Sequence, residues 1–209
     1  LQVQVAFDIG RSDNTVAWFW QETPHGIQVI DFYTNNGEQA EHYIKLLKDK
    51  PYDYSRIHLP HDAKAKTFAT KKSAIEQFID GFSERETQLN IVPKLSVEDG
   101  IEAARQLLKF THFDYDKCYY GLECLRVYRK KWDEVNQCFM KTPLHDYSSD
   151  AADAFRYMAI MANKDYLPAP DPHESINNSL ARGREYSMNQ LFNERENSMN
   201  RNNFKSRRI

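Results

Sequence analysis

Aspartate residues mark three points of the sequence at which a metal site could form. Asp8 ends a strand-like run, and Asp62 directly follows another short strand-like segment, residues 56–59. If these two strands are adjacent and parallel, their carboxyl ends bring both carboxylates to one edge of the sheet. Asp150 and Asp153 are three residues apart near the start of a predicted helix, so they share one of its faces.

Converging carboxylates predict a site for hard divalent cations, because Mg²⁺ prefers oxygen ligands and keeps several waters. Two such ions about 4 Å apart can stabilise the attacking and leaving oxygens of a phosphodiester. Each aspartate also has an ordinary structural interpretation. Asp8 could form a turn, Asp62 could be a helix N-cap or a surface acid, and the pair near residue 150 could be first-turn acids favoured by the helix dipole. The spacing leaves both interpretations open.

Basic residues lie close to Asp62 in the sequence and are candidates for contacts with phosphate groups. They are Lys64, Lys66, Lys71 and Lys72, and a second basic run occupies residues 129–131. Phosphate contacts should flank a scissile site, which favours Lys64 and Lys66. A run of charge is also typical of a solvated surface, so this interpretation competes with the first.

Several catalytic signatures are missing from the sequence. It contains no GxSxG, HExxH or GxxxxGK[ST] motif, which leaves the serine hydrolase, zincin and P-loop classes without a starting point. Three histidines could each act as a base or a ligand, but fit a structural or solvated role better: His58, His61 and His145. The three cysteines include no CxxC pair, so we expect reduced thiols and neither a zinc knuckle nor a disulfide scaffold.

The elements that would position the aspartates begin with three strands, within residues 3–7, 14–20 and 27–33, whose short connections favour an antiparallel meander. The pattern then predicts a helix over about 40–48, the strand 56–59, a helix over 73–82 and a strand over 88–92. Further helices are predicted from Ser96 onward with Leu107 and Leu108 buried, over 119–132, and over about 148–163. Small alanines in this last helix would let it approach the sheet closely. We therefore predict an α/β fold, a mixed β-sheet flanked by helices.

Composition divides the chain of 209 residues into a domain, residues 1–165, and a linker with a largely disordered tail, residues 166–209. The segment Pro168–Pro172 is proline-rich, and the residues after it are poor in aliphatic side chains. No stretch approaches the roughly 18 apolar residues that span a bilayer, so no membrane role is expected. The missing initiator Met and the immediate start of a strand pattern predict a domain excised from a longer protein.

Four segments, in this order, resemble the nuclease domain of the large terminase subunit of tailed bacteriophages. They are Phe7-Asp8-Ile9-Gly10 with Asp13-Asn14-Thr15, then Leu59-Pro60-His61-Asp62-Ala63, then Asp99-Gly100-Ile101, then residues 147–157, YSSDAADAFRY. The likeness covers about residues 3–163, and its last segment is the most specific. Asp150 departs from the family pattern, which commonly has histidine at that position.

The resemblance implies a ribonuclease H-like fold and an Mg²⁺- or Mn²⁺-dependent endonuclease that cuts concatemeric viral DNA during genome packaging. Carried over by position, Asp8, Asp62 and Asp153 would form the acidic triad, with Asp8 bridging two ions. Asp150 would be an extra ligand, and Asp13 and Asp146 outer ligands. The implied partners are double-stranded DNA, an ATPase motor domain, the portal protein and the small terminase subunit, in the cytoplasm of an infected bacterium.

Two other functions compete with this hypothesis. A different ribonuclease H-like enzyme, of the resolvase or transposase type, would share the acids but prefer branched DNA or DNA ends. Alternatively, the chain is a portal or motor interaction module that is inactive in isolation. Dependence on DNA shape and on metal separates the three functions.

Overall fold

The computed structural model describes residues 1–10, 13–64, 72–83 and 87–166. Its strands are β1 (Val3–Asp8), β2 (Thr15–Thr23), β3 (Gly26–Asn35), β4 (Tyr54–Leu59), β5 (Gln88–Ile91), β6 (Thr111–Phe113), β7 (Lys130–Asp133) and β8 (Cys138–Pro143). Its α-helices are α1 (Ala40–Asp49), α2 (Ala74–Phe82), α3 (Val97–Leu108), α4 (Tyr115–Val127) and α5 (Ser149–Tyr166), and a 3₁₀ helix covers His61–Lys64.

In the described part of the chain, six strands form one mixed sheet in the order β5-β4-β1-β2-β3-β6. Strands β1, β2 and β3 are antiparallel neighbours joined by short loops, so the predicted meander is confirmed. β4 pairs with β1 in parallel, as Ala6 opposite His58 illustrates, and β5 continues in parallel beyond β4. The predicted mixed α/β sheet is therefore confirmed, and its central strands β1 and β4 run in one direction.

Both faces of the sheet are covered, which explains why β1 is buried along almost its whole length. Val5 and Phe7 point into a core formed with α1 and α2, whereas Ala6 points into a core formed with α3, α4 and α5. The helices lie on these faces because each carries an apolar stripe at helical spacing, such as Tyr43 and Leu47 of α1. A sheet covered on both sides leaves its strand ends as the exposed rim.

Helix α5 packs closely against the sheet through small residues. Ala151, Ala154 and Ala159 are almost fully buried in the same core as Trp18 of β2. The indole N–H of Trp18 donates to the carbonyl oxygen of Ala151 at 2.9 Å, in the first turn of the helix. This buried hydrogen bond fixes the amino end of α5 over β2, as the predicted close approach requires.

The region around α4 differs from the prediction. The helix expected over residues 119–132 begins at Tyr115, where Asp114 caps it, and ends at Val127 because Tyr128 adopts an extended conformation. Residues 130–143 instead form a two-stranded hairpin of β7 and β8. Its turn is closed by the Asp133 carboxylate, which accepts from the backbone N–H of Val135 and Asn136.

Other expectations have mixed outcomes. Leu107 of α3 is buried as predicted, but Leu108 is exposed, and strand β6 was not predicted. Cys118, Cys124 and Cys138 are free thiols, as expected.

The described residues belong to one compact unit, Leu1–Leu167. The predicted linker and tail lie outside the described residues, and among the described helices none has the length and apolarity to cross a bilayer.

Candidate functional site

The carboxyl ends of the parallel strands β1 and β4 carry two of the predicted aspartates. Asp8 is the last residue of β1 and is partly buried. Asp62 lies in the 3₁₀ helix that begins two residues after β4, and it is exposed. Because β1 and β4 are adjacent and parallel, both side chains stand at the same edge of the sheet. The two strands are thus adjacent and parallel, which was the arrangement needed to bring Asp8 and Asp62 to one edge.

Helix α5 brings the third and fourth carboxylates to this edge. Asp150, in its first turn, accepts hydrogen bonds from the backbone N–H of Asn14 at 3.2 Å and from the Asn14 side-chain amide at 3.1 Å. Asn14 precedes β2, in the loop that follows Asp8. Asp150 is therefore attached to the β1–β2 connection, 136 residues away in sequence.

Asp153 lies one turn further along α5 and is held by a buried arginine. The guanidinium of Arg156 contacts Asp153 Oδ1 at 2.5 Å, and the side chain of Arg156 is only 10% exposed. Burial raises the pKa of Asp153, while the neighbouring Arg156 lowers it and the Asp150 carboxylate raises it further. Asp153 is thus a half-buried carboxylate with one internal cation beside it.

The pKa of Asp8 reflects its burial and the charges of the other three acids. Burial raises the pKa of Asp8 from 3.8 to about 8, with further rises from the charges of Asp153, Asp150 and Asp62 in that order; Arg156 opposes them. A carboxylate beside three like charges is disfavoured in its ionised form. Asp8 therefore experiences the charges of the three other aspartates singled out in the sequence.

Two tyrosines that the sequence analysis missed also border this cluster. Burial and then the Asp153 charge raise the pKa of Tyr128 to about 12. Burial and then the Asp8 charge raise the pKa of Tyr157 to about 12. Tyr157 is the last residue of the most specific motif, residues 147–157, so the sequence contained a signal that could have identified it. Tyr128 stands in a stretch predicted as helix, so nothing local marked it.

The donor set of the cluster fits a hard divalent cation, because all its ligand atoms are carboxylate oxygens. Among the described residues, no three His, Cys, Asp or Glu side chains are gathered closely enough to hold one ion. Oxygens of Asp150 and Asp153 are instead engaged by Asn14 and Arg156. These hydrogen-bond donors compensate part of the negative charge of the two carboxylates.

The predicted outer groups occupy different surroundings. Asp13 is exposed. The carboxylate of Asp146 accepts from the backbone N–H and hydroxyl of Ser148, which lower its pKa, and so it stabilises the turn that precedes α5. Asp99 of the third motif accepts from the Ser96 hydroxyl at the amino end of α3.

The histidines are separated by their locations. His58 is buried within the sheet, bonded to Gln4 and stacked on Trp20, which is the structural role that the sequence favoured. His145 contacts the Ser149 hydroxyl at 2.9 Å, next to the start of α5. His61 adjoins Asp62 in the 3₁₀ helix and is partly buried.

Among the candidate phosphate-binding lysines, two lie within the described residues. Lys64 is exposed at the end of the 3₁₀ helix that carries Asp62. Lys72 forms an ion pair with Asp80 of α2 at 2.5 Å, so its charge is already engaged by a neighbour. Lys66 and Lys71 lie outside the described residues.

Comparison with known proteins gives matches among solved structures only. No protein-family model matches the chain, and no curated protein matches it. The large terminase from a thermophilic bacteriophage is similar at a TM-score of 0.56 and 17% identity, over 80% of this chain and 40% of that one. The chain thus spans about 40% of the length of that terminase.

Separate nuclease domains match over most of their length. The nuclease domain of the g2p large terminase from bacteriophage SPP1, solved with bound Mn, has a TM-score of 0.54 and 14% identity, over 75% of this chain and 84% of that one. The P22 large terminase nuclease domain has a TM-score of 0.52 and 21% identity, over 78% and 81%. At these identities the likeness shows the fold. The chain has the ribonuclease H-like fold seen in large terminase nuclease domains, as predicted.

Proposed function

We propose that this chain is a metal-dependent endodeoxyribonuclease that hydrolyses phosphodiester bonds of double-stranded DNA. The observation that carries the proposal is the placement of Asp8 and Asp62 at one edge of a ribonuclease H-like sheet, where the charges of Asp153 and Asp150 also act on Asp8. A fold places such charges together at a cost in stability, since each disfavours ionisation of the others. A bound cation would offset that cost, so a metal-binding role accounts for the placement of these acids.

Asp8, Asp62 and Asp153 would hold two Mg²⁺ or Mn²⁺ ions, with Asp150 as a further oxygen ligand. When bound, such ions neutralise the charge that develops on the oxygens of the phosphodiester. The protein itself contributes the rigid supports of the ligands. β1 and the 3₁₀ helix present Asp8 and Asp62, and α5, anchored by Trp18, presents the other pair.

Recognition of DNA would depend on charge rather than on base sequence. Lys64 is exposed two residues from Asp62, which suits a contact with a phosphate beside the scissile bond. Lys66 and Lys71 are proposed to extend this contact along the backbone. Lys72 would join them by exchanging its exposed ion pair with Asp80 for a phosphate. Phosphate contacts carry no sequence information, so we expect cleavage with little sequence preference.

The likeness to phage large terminases supports a wider biological proposal. The nuclease would follow an ATPase motor domain in the same protein and cut concatemeric phage DNA during packaging. Its partners would be that motor domain, the portal protein and the small terminase subunit, in the host cytoplasm. The similarity of fold to the large terminase of the thermophilic bacteriophage, over 40% of its length, supports this context.

The test is cleavage of supercoiled plasmid by the purified chain with Mg²⁺, Mn²⁺, Ca²⁺ or EDTA. We expect nicking and linearisation with Mn²⁺ or Mg²⁺ and none in EDTA. Asp62→Asn should lower the rate at least about 100-fold, because loss even of an outer partner of a metal ligand costs 10–100-fold. Asp116→Asn is the matched control, since Asp116 is an exposed acid on α4, away from the cluster.

The other outcomes distinguish the alternatives. Equal cleavage by wild type and Asp62→Asn would refute the assignment of the site. A strong preference for four-way junctions or for DNA ends over plasmid would favour a resolvase or transposase. Intact plasmid in every lane, together with tight binding to portal protein, would favour an interaction module.

A further inference from the structure

Arg156 of α5 is the buried cation closest to the carboxylate cluster, and its surroundings are unusually well defined. It is 8% exposed as a whole residue. Its Nε and Nη2 atoms both reach the same oxygen of Asp153, Oδ1, at 3.2 and 2.5 Å. Both donors meet one oxygen, so neither of these contacts involves the second oxygen, Oδ2.

Helix α3 provides the surface on which Arg156 rests. Gly100 of α3 is buried, and a Cβ atom at this position would lie 3.3–3.4 Å from the Cβ, Cδ and Nη1 atoms of Arg156. These separations are shorter than ordinary carbon contacts, so a side chain here would push the arginine by a few tenths of an ångström. The glycine lets the Arg156 side chain lie flat against α3.

A second side chain borders the same carboxylate. Burial and then the Asp153 charge raise the pKa of Tyr128, which lies between α4 and β7. The donors that hold Asp153 come from Arg156 of its own helix. In the Asp99-Gly100-Ile101 motif, Asp99 pairs with the N-cap Ser96 of α3, and Gly100 is the residue that contacts Arg156.

We propose that Arg156 is the positioning residue of Asp153. Gly100 leaves the space on α3 that the Arg156 side chain needs to keep its position. The inference rests on the proposed function, in which Asp153 is a metal ligand. Arginine suits this role because its guanidinium is a rigid planar fork, whereas the ammonium of lysine is a single point charge on a flexible stem. A ligand held within about 0.5 Å of its working position binds metal better than a freely rotating one.

The experiment measures Mn²⁺ binding to the whole chain by isothermal titration calorimetry, without DNA. Arg156→Lys keeps the charge but loses the fork, and we expect its Kd for Mn²⁺ to rise about tenfold. Gly100→Ala should raise the Kd in the same direction by a smaller factor, about threefold. Arg105→Lys on the exposed face of α3 makes the same chemical change away from the site and should leave the Kd unchanged.

Thermal unfolding of each metal-free variant separates positioning from simple support of the fold. A structural role alone would lower the melting temperature of Arg156→Lys and leave the Kd of its folded fraction at the wild-type value, which would overturn the inference. If Arg156→Lys does not fold, Gly100→Ala decides the question by the same criterion. Absence of Mn²⁺ binding by the wild type would instead refute the proposed function itself, together with this inference.

Discussion

Replacement of Asp8 by asparagine tests the electrostatic description of the site directly. The substitution keeps the size of the side chain and removes its ability to ionise. The folded protein holds the pKa of Asp8 near 8, well above its ordinary 3.8, so folding favours the protonated form. The resulting penalty is absent below pH 4, grows between about pH 4 and 8, and is complete above pH 8. Asp8→Asn should therefore stabilise the metal-free protein, increasingly so as the pH rises.

The magnitude follows from the same shift. A rise from 3.8 to about 8 corresponds to a penalty of about 5 kcal/mol at pH 8 as an upper limit. Asp8 is only partly buried, and dissolved cations screen the cluster, so we expect about 2 kcal/mol in practice. For a chain of this length that equals about 4–8 °C in melting temperature. At pH 5 the gain should be smaller than at pH 8, because less of the penalty has developed.

The assay is thermal unfolding followed by circular dichroism, in EDTA, from pH 5 to pH 8.5. Asp116→Asn is the control and should show no pH-dependent gain. Addition of Mn²⁺ at about 100 times its Kd should raise the stability of the wild type by about 2.7 kcal/mol and that of Asp8→Asn by much less. A variant that is less stable than wild type at pH 8, or a gain that does not depend on pH, would refute the reasoning.

Two further predictions concern the scaffold. Lys50→Met should lower the free energy of unfolding by about 2 kcal/mol in urea titration, because the buried Asp31 carboxylate, now 2.5 Å from the Lys50 ammonium, loses its cation; an unchanged value would contradict this. Gly121→Ala should destabilise by about 1–3 kcal/mol, since its Cβ would lie 2.4 Å from the Trp18 ring. A higher melting temperature, as expected for alanine in an open helix, would show that α4 can move aside.

The sequence predicted the ends of β1 and β4 well because the chemistry there is local. Asp8 closes an apolar strand and Asp62 follows another, and the short loops of the meander left few possible topologies. The buried face of α5 could be predicted equally well, because Phe155 and Met158 repeat at helical spacing, and both are buried. Elements with a clear period and short connections can be predicted from one sequence.

The errors occurred where local signals conflict. Lys130, Lys131 and Trp132 continue the composition of α4, and the turn that reverses the chain is set by the side chain of Asp133, which the helical pattern concealed. Leu108 fits the apolar stripe of α3 but falls at its frayed end and is exposed.

The contacts that complete the site could not be predicted from any local pattern. The bond from Asn14 to Asp150 and the packing of Gly100 against Arg156 join distant segments of the chain. Such pairs depend on how the helices pack against the sheet and against each other. The sequence can therefore name the four carboxylates, but only the three-dimensional arrangement identifies the groups that hold them.

The anchoring of α5 by Trp18 also has a consequence for the order of events during synthesis. The Trp18–Ala151 and Asn14–Asp150 contacts span 133 and 136 residues, so they close very large loops in the domain. Contacts of such long range form late, because the entropy of loop closure must be overcome before they stabilise anything. A nascent chain can align β1 to β4 while Asp150 and Asp153 are still untranslated. The carboxylate cluster can therefore be completed only after the chain has been synthesised as far as α5.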